Sequence, residues 1–171
     1  MEYDLYLEST LAAAKSNLSS RDINLAVSRA LKKLVNWAAV KISRHFSVVA
    51  NVPVRTIKAR IYKRFDTNLR SARLWMGLSR VQAHYLGRVR QNRKGVRAGK
   101  HQIDGAFIAN NRRGQTRVWQ RSTDKSSPIE YVYKDITTDA DIDAYLASIS
   151  REVEQRFAVL LQQQLTFLSG A

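Results

Sequence analysis

Three histidines, a trio of closely spaced aspartates and 29 Lys/Arg side chains are the groups in this chain with chemistry to offer. His45, His84 and His101 lack zinc-site spacing to one another and to any local carboxylate pair. Asp139, Asp141 and Asp143 have a DxD spacing that can hold a divalent cation. No second ligand cluster accompanies them, and acids in the opening turns of a helix are explained by its dipole. There is no GxxxxGK[ST], no GxSxG and no GxGxxG. With no cysteine, disulfides, thiolate metal sites and thiol nucleophiles are excluded. The expectation is a protein that is not an enzyme, with no catalytic residues, no cofactor and no metal.

The cations are the stronger signal. Between Asn51 and Arg121 lie 18 Lys/Arg and two acids, Asp66 and Asp104, a local net of +16 in a chain whose total is +15. Charge of one sign confined to one segment suits a polyanion or an acidic partner. The densest part, 88–100, reads RVRQNRKGVRAGK and suggests an exposed basic loop. Arg88, Arg90, Arg93, Lys94, Arg97 and Lys100, with Arg112 and Arg113 further on, are the expected contacts to DNA or to an acidic protein surface. Trp75, Tyr85 and Trp119 lie among these cations. They could stack on bases, although filling the core of a small sheet is the simpler expectation.

The elements that must position these groups follow from periodicity. The chain's 171 residues suggest one domain, 1–171, with an N-terminal arm over 1–19. Ile23, Val27, Ala30, Leu31, Leu34, Ala38 and Ile42 predict a helix from an N-cap at Ser20 to about Arg44–Ser47. Arg29, Lys32, Lys33 and Lys41 face outward on it. Val54, Ile57, Ile61 and Phe65 predict a second, basic helix starting behind Pro53. Strand signals follow from Arg70, with Gly77 and Gly87 as bends. Ala106–Ala109 and Arg117–Arg121 flank an Asn/Gly turn and predict a hairpin over about 105–121, in which Phe107, Ile108, Val118 and Trp119 are structural. A further strand is expected at about 129–133. Thr137 or Thr138 then caps a long last helix buried through Ile142, Tyr145, Leu146, Ile149, Val153, Phe157, Leu160, Leu161 and Leu168. The fold class is α+β: N-terminal helices, a small antiparallel sheet and a long C-terminal helix. No apolar run is long enough to span a membrane, and the acidic N-terminus does not read as a targeting peptide. A chain free of cysteine fits the cytoplasm.

Gly105-Ala106-Phe107-Ile108, Gly114, Val118-Trp119-Gln120-Arg121 and Pro128-Ile129 resemble the minor tail protein Z family of lambda-like phages and prophages. The order of helices, basic segment, strands and helix is similar over most of the chain. Two features depart from the family: basic residues more dispersed over 88–100, and a longer, more acidic start to the last helix. The resemblance implies a virion structural protein at the head-proximal end of a tail. It would be assembled in the host cytoplasm and built as a ring around the DNA channel at the neck. Implied partners are the tail terminator, tube or head-connector proteins, and double-stranded DNA held without regard to sequence. The alternative is a helix-turn-helix DNA-binding regulator, with Arg55, Lys58 and Arg60 on a recognition helix within Val52–Phe65.

Overall fold

Ser19 starts the first helix. Its hydroxyl oxygen accepts the Asp22 N–H at 3.2 Å, and it donates in turn to the Asp22 carboxylate. The cap is therefore one residue earlier than the sequence suggested, and helix α1 spans Ser20–Val49. It runs past the expected stop because the chain offers no breaker until Asn51, whose φ of 52° is a left-handed conformation that asparagine tolerates. The Ser47 hydroxyl donates to the Val52 carbonyl at 2.6 Å and fixes the exit. In the computed structural model, residues 19–66, 70–77, 80–123 and 127–169 are described. The expected arm, Ser19 apart, lies outside them.

The second helix, α2, is Val54–Lys58 alone. The expected continuation to Phe65 is instead strand β1, Ile61–Asp66, paired with β2, Ser71–Met76. Ile61, Tyr62 and Phe65 are β-branched or aromatic and favour a strand once a partner strand is at hand. Arg60 closes the open end: its carbonyl accepts the Gly77 N–H at 3.1 Å, and its guanidinium donates to the Gly77 carbonyl at 3.2 Å. Five residues make little more than one helical turn, with Thr56 and Ile57 buried. No recognition helix exists here.

The remaining elements are β3 (Val81–Gln82), a 3-10 turn (Ala83–Tyr85), β4 (Val89–Asn92), β5 (Gly95–Ala98), β6 (His101–Asp104), β7 (Ala106–Asn110), β8 (Thr116–Arg121), β9 (Ile129–Tyr131), β10 (Tyr133–Lys134) and helix α3 (Asp139–Ser169). Sheets run β4-β5-β6, β7-β8-β9 and β10-β3, all antiparallel. The expected strand at 129–133 is divided at Val132. Its N–H donates to the Val118 carbonyl at 3.2 Å while its own carbonyl accepts the Ala83 N–H at 2.9 Å, so the two halves join different sheets.

The basic segment 88–100 is not a loop. It is the β4–β5 hairpin, in which Val96 and Ala98 are fully buried. Gly95 makes this possible. At φ 147° it lies so close to the next strand that a Cβ would sit 2.2 Å from the Ile103 carbonyl oxygen.

Contacts divide the chain into two compact units. The first holds α1 up to Val40, Tyr62–Trp75, and α3 from Asp143 onward. In it Ala30 and Leu34 pack with Phe157, Leu160 and Leu161 as the expected stripes implied, and Ala26 and Leu165, outside those stripes, join them. The second unit holds Lys41–Ile61 and Met76–Ile142. Its core gathers Ile42, Phe46, Ile57, Val81, Leu86, Val96, Ala98, Ala106 and Val118. Here the Asp141 carboxylate accepts the Thr138 hydroxyl at 2.7 Å and the Thr138 N–H at 3.1 Å, which draw the Asp141 pKa below its ordinary value, while the Thr138 hydroxyl oxygen accepts the Asp141 N–H in a reciprocal cap.

Candidate functional site

Residues opposite one another in an antiparallel ladder share a face. Arg90 is opposite Arg97, and Arg97 is opposite Gln102, so these three cross the β4-β5-β6 sheet in one row. All three are exposed. The other face of the sheet carries Val89, Val96, Ala98 and Ile103 inward. Like charges placed directly opposite are destabilising. The one acid of this sheet, Asp104, is opposite Gly95 and accepts from the Gln102 amide at 3.0 Å.

Arg93 and Lys94 form the tip between β4 and β5, where the Asn92 side-chain oxygen accepts the N–H groups of Lys94 and Gly95 at 3.0 and 2.9 Å. At the opposite end Lys100 donates to the Asn51 side chain at 3.1 Å, and the Arg97 Nε donates to the Gly99 carbonyl at 3.3 Å. Arg88 enters β4 with its carbonyl taken by the Gly99 N–H. The six cations of 88–100 thus gather on one small sheet and its two ends. Arg112 and Arg113 stand apart on the β7–β8 turn, in the same unit but on the neighbouring sheet.

The motif residues fall into place around that second sheet. Gly105, at φ 69°, turns β6 into β7. Gly114, at φ 72°, completes the hairpin turn, with its N–H bonded to the Asn111 carbonyl. Ala106 and Val118 are buried; Phe107, Ile108 and Trp119 are half-buried. Gln120 donates to the Asp104 carbonyl at 3.1 Å, and the Arg121 guanidinium lies 5.4 Å from the centre of the Phe107 ring. A residue without any sequence signal, Gln91, joins the two sheets. Its amide accepts the Ile108 N–H at 2.9 Å and donates to the Ala106 carbonyl at 3.2 Å, taking the place of a ladder pair.

Two of the three aromatics expected in the sheet core are not there. Trp75 is 62% exposed and pairs with Tyr62 at 5.5 Å between ring centres, and Tyr85 is half in water. Tyr85 serves through its backbone, whose carbonyl accepts the buried Thr56 hydroxyl at 2.7 Å. The histidines stay dispersed. Burial, reinforced by the Arg117 charge, lowers the His84 pKa to about 4, so this ring is neutral near pH 7 and adds nothing to the cationic field. His101 Nε2 lies 3.0 Å from the Ala50 carbonyl. Among the described residues no group of three or more His, Asp or Glu could hold a metal ion, and no helix is long and apolar enough to cross a membrane. In the first unit, Arg29, Lys32 and Lys33 line an open groove of about 620 Å³ with Gln163, Gln164 and the exposed Phe167. The sequence placed these cations outward but gave no sign of the groove.

The arrangement has the makings of a binding surface: six cations on one small sheet and its two ends, with the single acid Asp104 on the same face as Arg90 and Arg97. The family model of the prophage minor tail protein Z (GPZ) matches residues 10–168, and the chain belongs to that family. It is a structural protein of a phage tail. Searches of the curated proteins and of the solved structures found no match.

Proposed function

We propose that this protein completes the head-proximal end of a phage tail and joins it to the head connector, as a ring around the DNA channel and without catalysis. Its partners are the tail terminator, tube or connector proteins, met during assembly in the host cytoplasm. The observation that carries this reading is the unbalanced row Arg90–Arg97 with Arg93, Lys94, Arg88 and Lys100 around it. Such a face lowers its own electrostatic energy only against an anion. Duplex DNA in a channel is one such surface, bound through phosphates without base readout.

Exchanging Arg93, Lys94, Arg97 and Lys100 together for Gln tests it, because all four side chains are exposed. The expected outcome is a normally folded protein and tails that join heads poorly or lose DNA at the junction, seen by electron microscopy and by titre. Full titres from this variant would remove the basic face from the mechanism. A monomer in finished particles, located by cryo-electron microscopy away from the neck, would remove the ring.

A further inference from the structure

The β7-β8-β9 sheet turns Ala106, Ile108 and Val118 toward one side. Its other side carries a row of three aromatic rings, one per strand: Phe107 opposite Trp119, and Trp119 opposite Tyr131. All three are only half-buried. Trp119 and Tyr131 stack at 4.2 Å between ring centres with 24° between planes. The indole cannot swing away, because its Nε1–H donates to the Ala109 carbonyl at 3.0 Å. Arg117 and Arg121 share this face by the two-residue alternation of β8, and Arg121 covers the Phe107 ring. At the tip of the hairpin Arg112 and Arg113 rim a concavity of about 390 Å³ whose wall is Trp119 and Tyr131. That volume lies within the range of small-ligand pockets.

We propose that this face is a stacking platform for single-stranded nucleic acid. Trp119 and Tyr131, held at fixed orientation and half-exposed, offer the π-surface that their mutual stack leaves open to bases of any identity, and the cations beside them match the phosphates between those bases. A duplex keeps its base faces in its own stack, so it would use the arginines and leave the ring row idle. An acidic protein segment would likewise engage the arginines and gain nothing particular from a planar row. The turn's amides do not read base edges, because they are spent on the turn itself. The Asn111 side-chain oxygen accepts from the Arg113 and Gln115 N–H groups, and the Gln115 side-chain oxygen accepts from Asn111 and Arg117. Binding is therefore indifferent to sequence. The guanidinium groups of Arg112 and Arg113 have no partner among the described residues and stay available. This inference stands on the sheet face alone and does not depend on a position at the neck.

The test uses the full chain with a labelled 12-nucleotide oligo-dT, a duplex of equal length and polyglutamate. By fluorescence anisotropy the single strand should bind at least about tenfold tighter than the duplex, since each stacked base contributes on that scale. Tyr131→Leu should weaken it by about tenfold. Arg112→Ala with Arg113→Ala should lower the slope of log K against log salt by about 1.4, two phosphate contacts at about 0.7 each. The Trp119 indole N–H signal, identified by its loss in Trp119→Phe, should shift in the NMR spectrum when oligo-dT is added to the unmodified protein. A duplex that binds as tightly as the single strand overturns the proposal. So does an indole signal that stays in place, or one that polyglutamate moves equally.

Discussion

Val96→Ala separates a hairpin from a loop. Val96 is fully buried in β5, opposite Gln91 on one side and Ile103 on the other. The substitution deletes two methyl groups, about 0.8 kcal/mol each for burial lost. It leaves up to roughly 50 Å³ that the neighbours fill only in part, adding up to about 1 kcal/mol at the measured cost per unit of cavity. The expected loss is about 1.5–3 kcal/mol. For a chain of this size that lowers Tm by about 3–12 °C. Arg93→Ala, at the exposed tip of the same hairpin, should change stability by less than about 0.5 kcal/mol. Urea unfolding of both variants, followed by circular dichroism, gives the two numbers side by side. A Val96→Ala loss no larger than that of Arg93→Ala would refute the reasoning, since a solvated loop is indifferent to both.

Three further outcomes follow from the same structure. The depressed pKa of His84 means that the unfolded chain takes up its proton first, so stability should be fully present above about pH 6.5 and fall as pH drops toward 4; His84→Gln should flatten that part of a Tm–pH profile. The carboxylate of Asp141, held below its ordinary pKa by the Thr138 hydroxyl and N–H, should lose its contribution as acid protonates it, and Asp141→Asn should shorten α3 at its start, read by amide exchange, with metal content by elemental analysis unchanged. Arg97→Glu should raise the Tm of the free protein while weakening its retention on heparin or DNA.

The parts of the fold written in hydrophobic period were legible. The stripes of α1 and α3 meet as Ala30 and Leu34 against Phe157, Leu160 and Leu161, and the 105–121 hairpin forms around Gly114. The parts governed by partners outside the local window were not. VRTIKARIYKRF carries a helical spacing of apolar residues, but Ile61–Asp66 is claimed by Ser71–Met76. In 88–100 the cations obscured a two-residue alternation, Val89 with Gln91 and Val96 with Ala98, that places one face inside. The position of Gln91 between two sheets depends on tertiary approach, and no sequence pattern announces it. The eight cations expected as contacts are divided between two neighbouring sheets, a division that no sequence pattern announced. The sequence also named Trp119 without Phe107 and Tyr131 as its row.

The effect expected of Arg97→Glu joins stability to function in one residue. In the free protein Arg90 and Arg97 are directly opposed on a sheet face whose one acid, Asp104, is opposite Gly95 and accepts from the Gln102 amide. Such a pair costs a few tenths to about 1 kcal/mol, and an opposite-sign pair in the same place returns a similar amount. The packing asks little of these two residues: both side chains are exposed, the one side-chain bond Arg97 makes among the described residues is from Nε to the Gly99 carbonyl at 3.3 Å, and Val96 and Ala98 already hold β5 in place. Contact with a polyanion removes the cost, so the same arginines that weaken the free chain strengthen the bound one, and ligand binding should raise Tm in proportion. Thermal scans of the two proteins with and without heparin make the comparison. The unsubstituted chain should melt lower alone and gain more from heparin; the Arg97→Glu variant should melt higher alone and gain less. If the substitution lowers Tm, the row is a structural contact, and the anion-facing role passes to the turn cations Arg93, Lys94, Arg112 and Arg113.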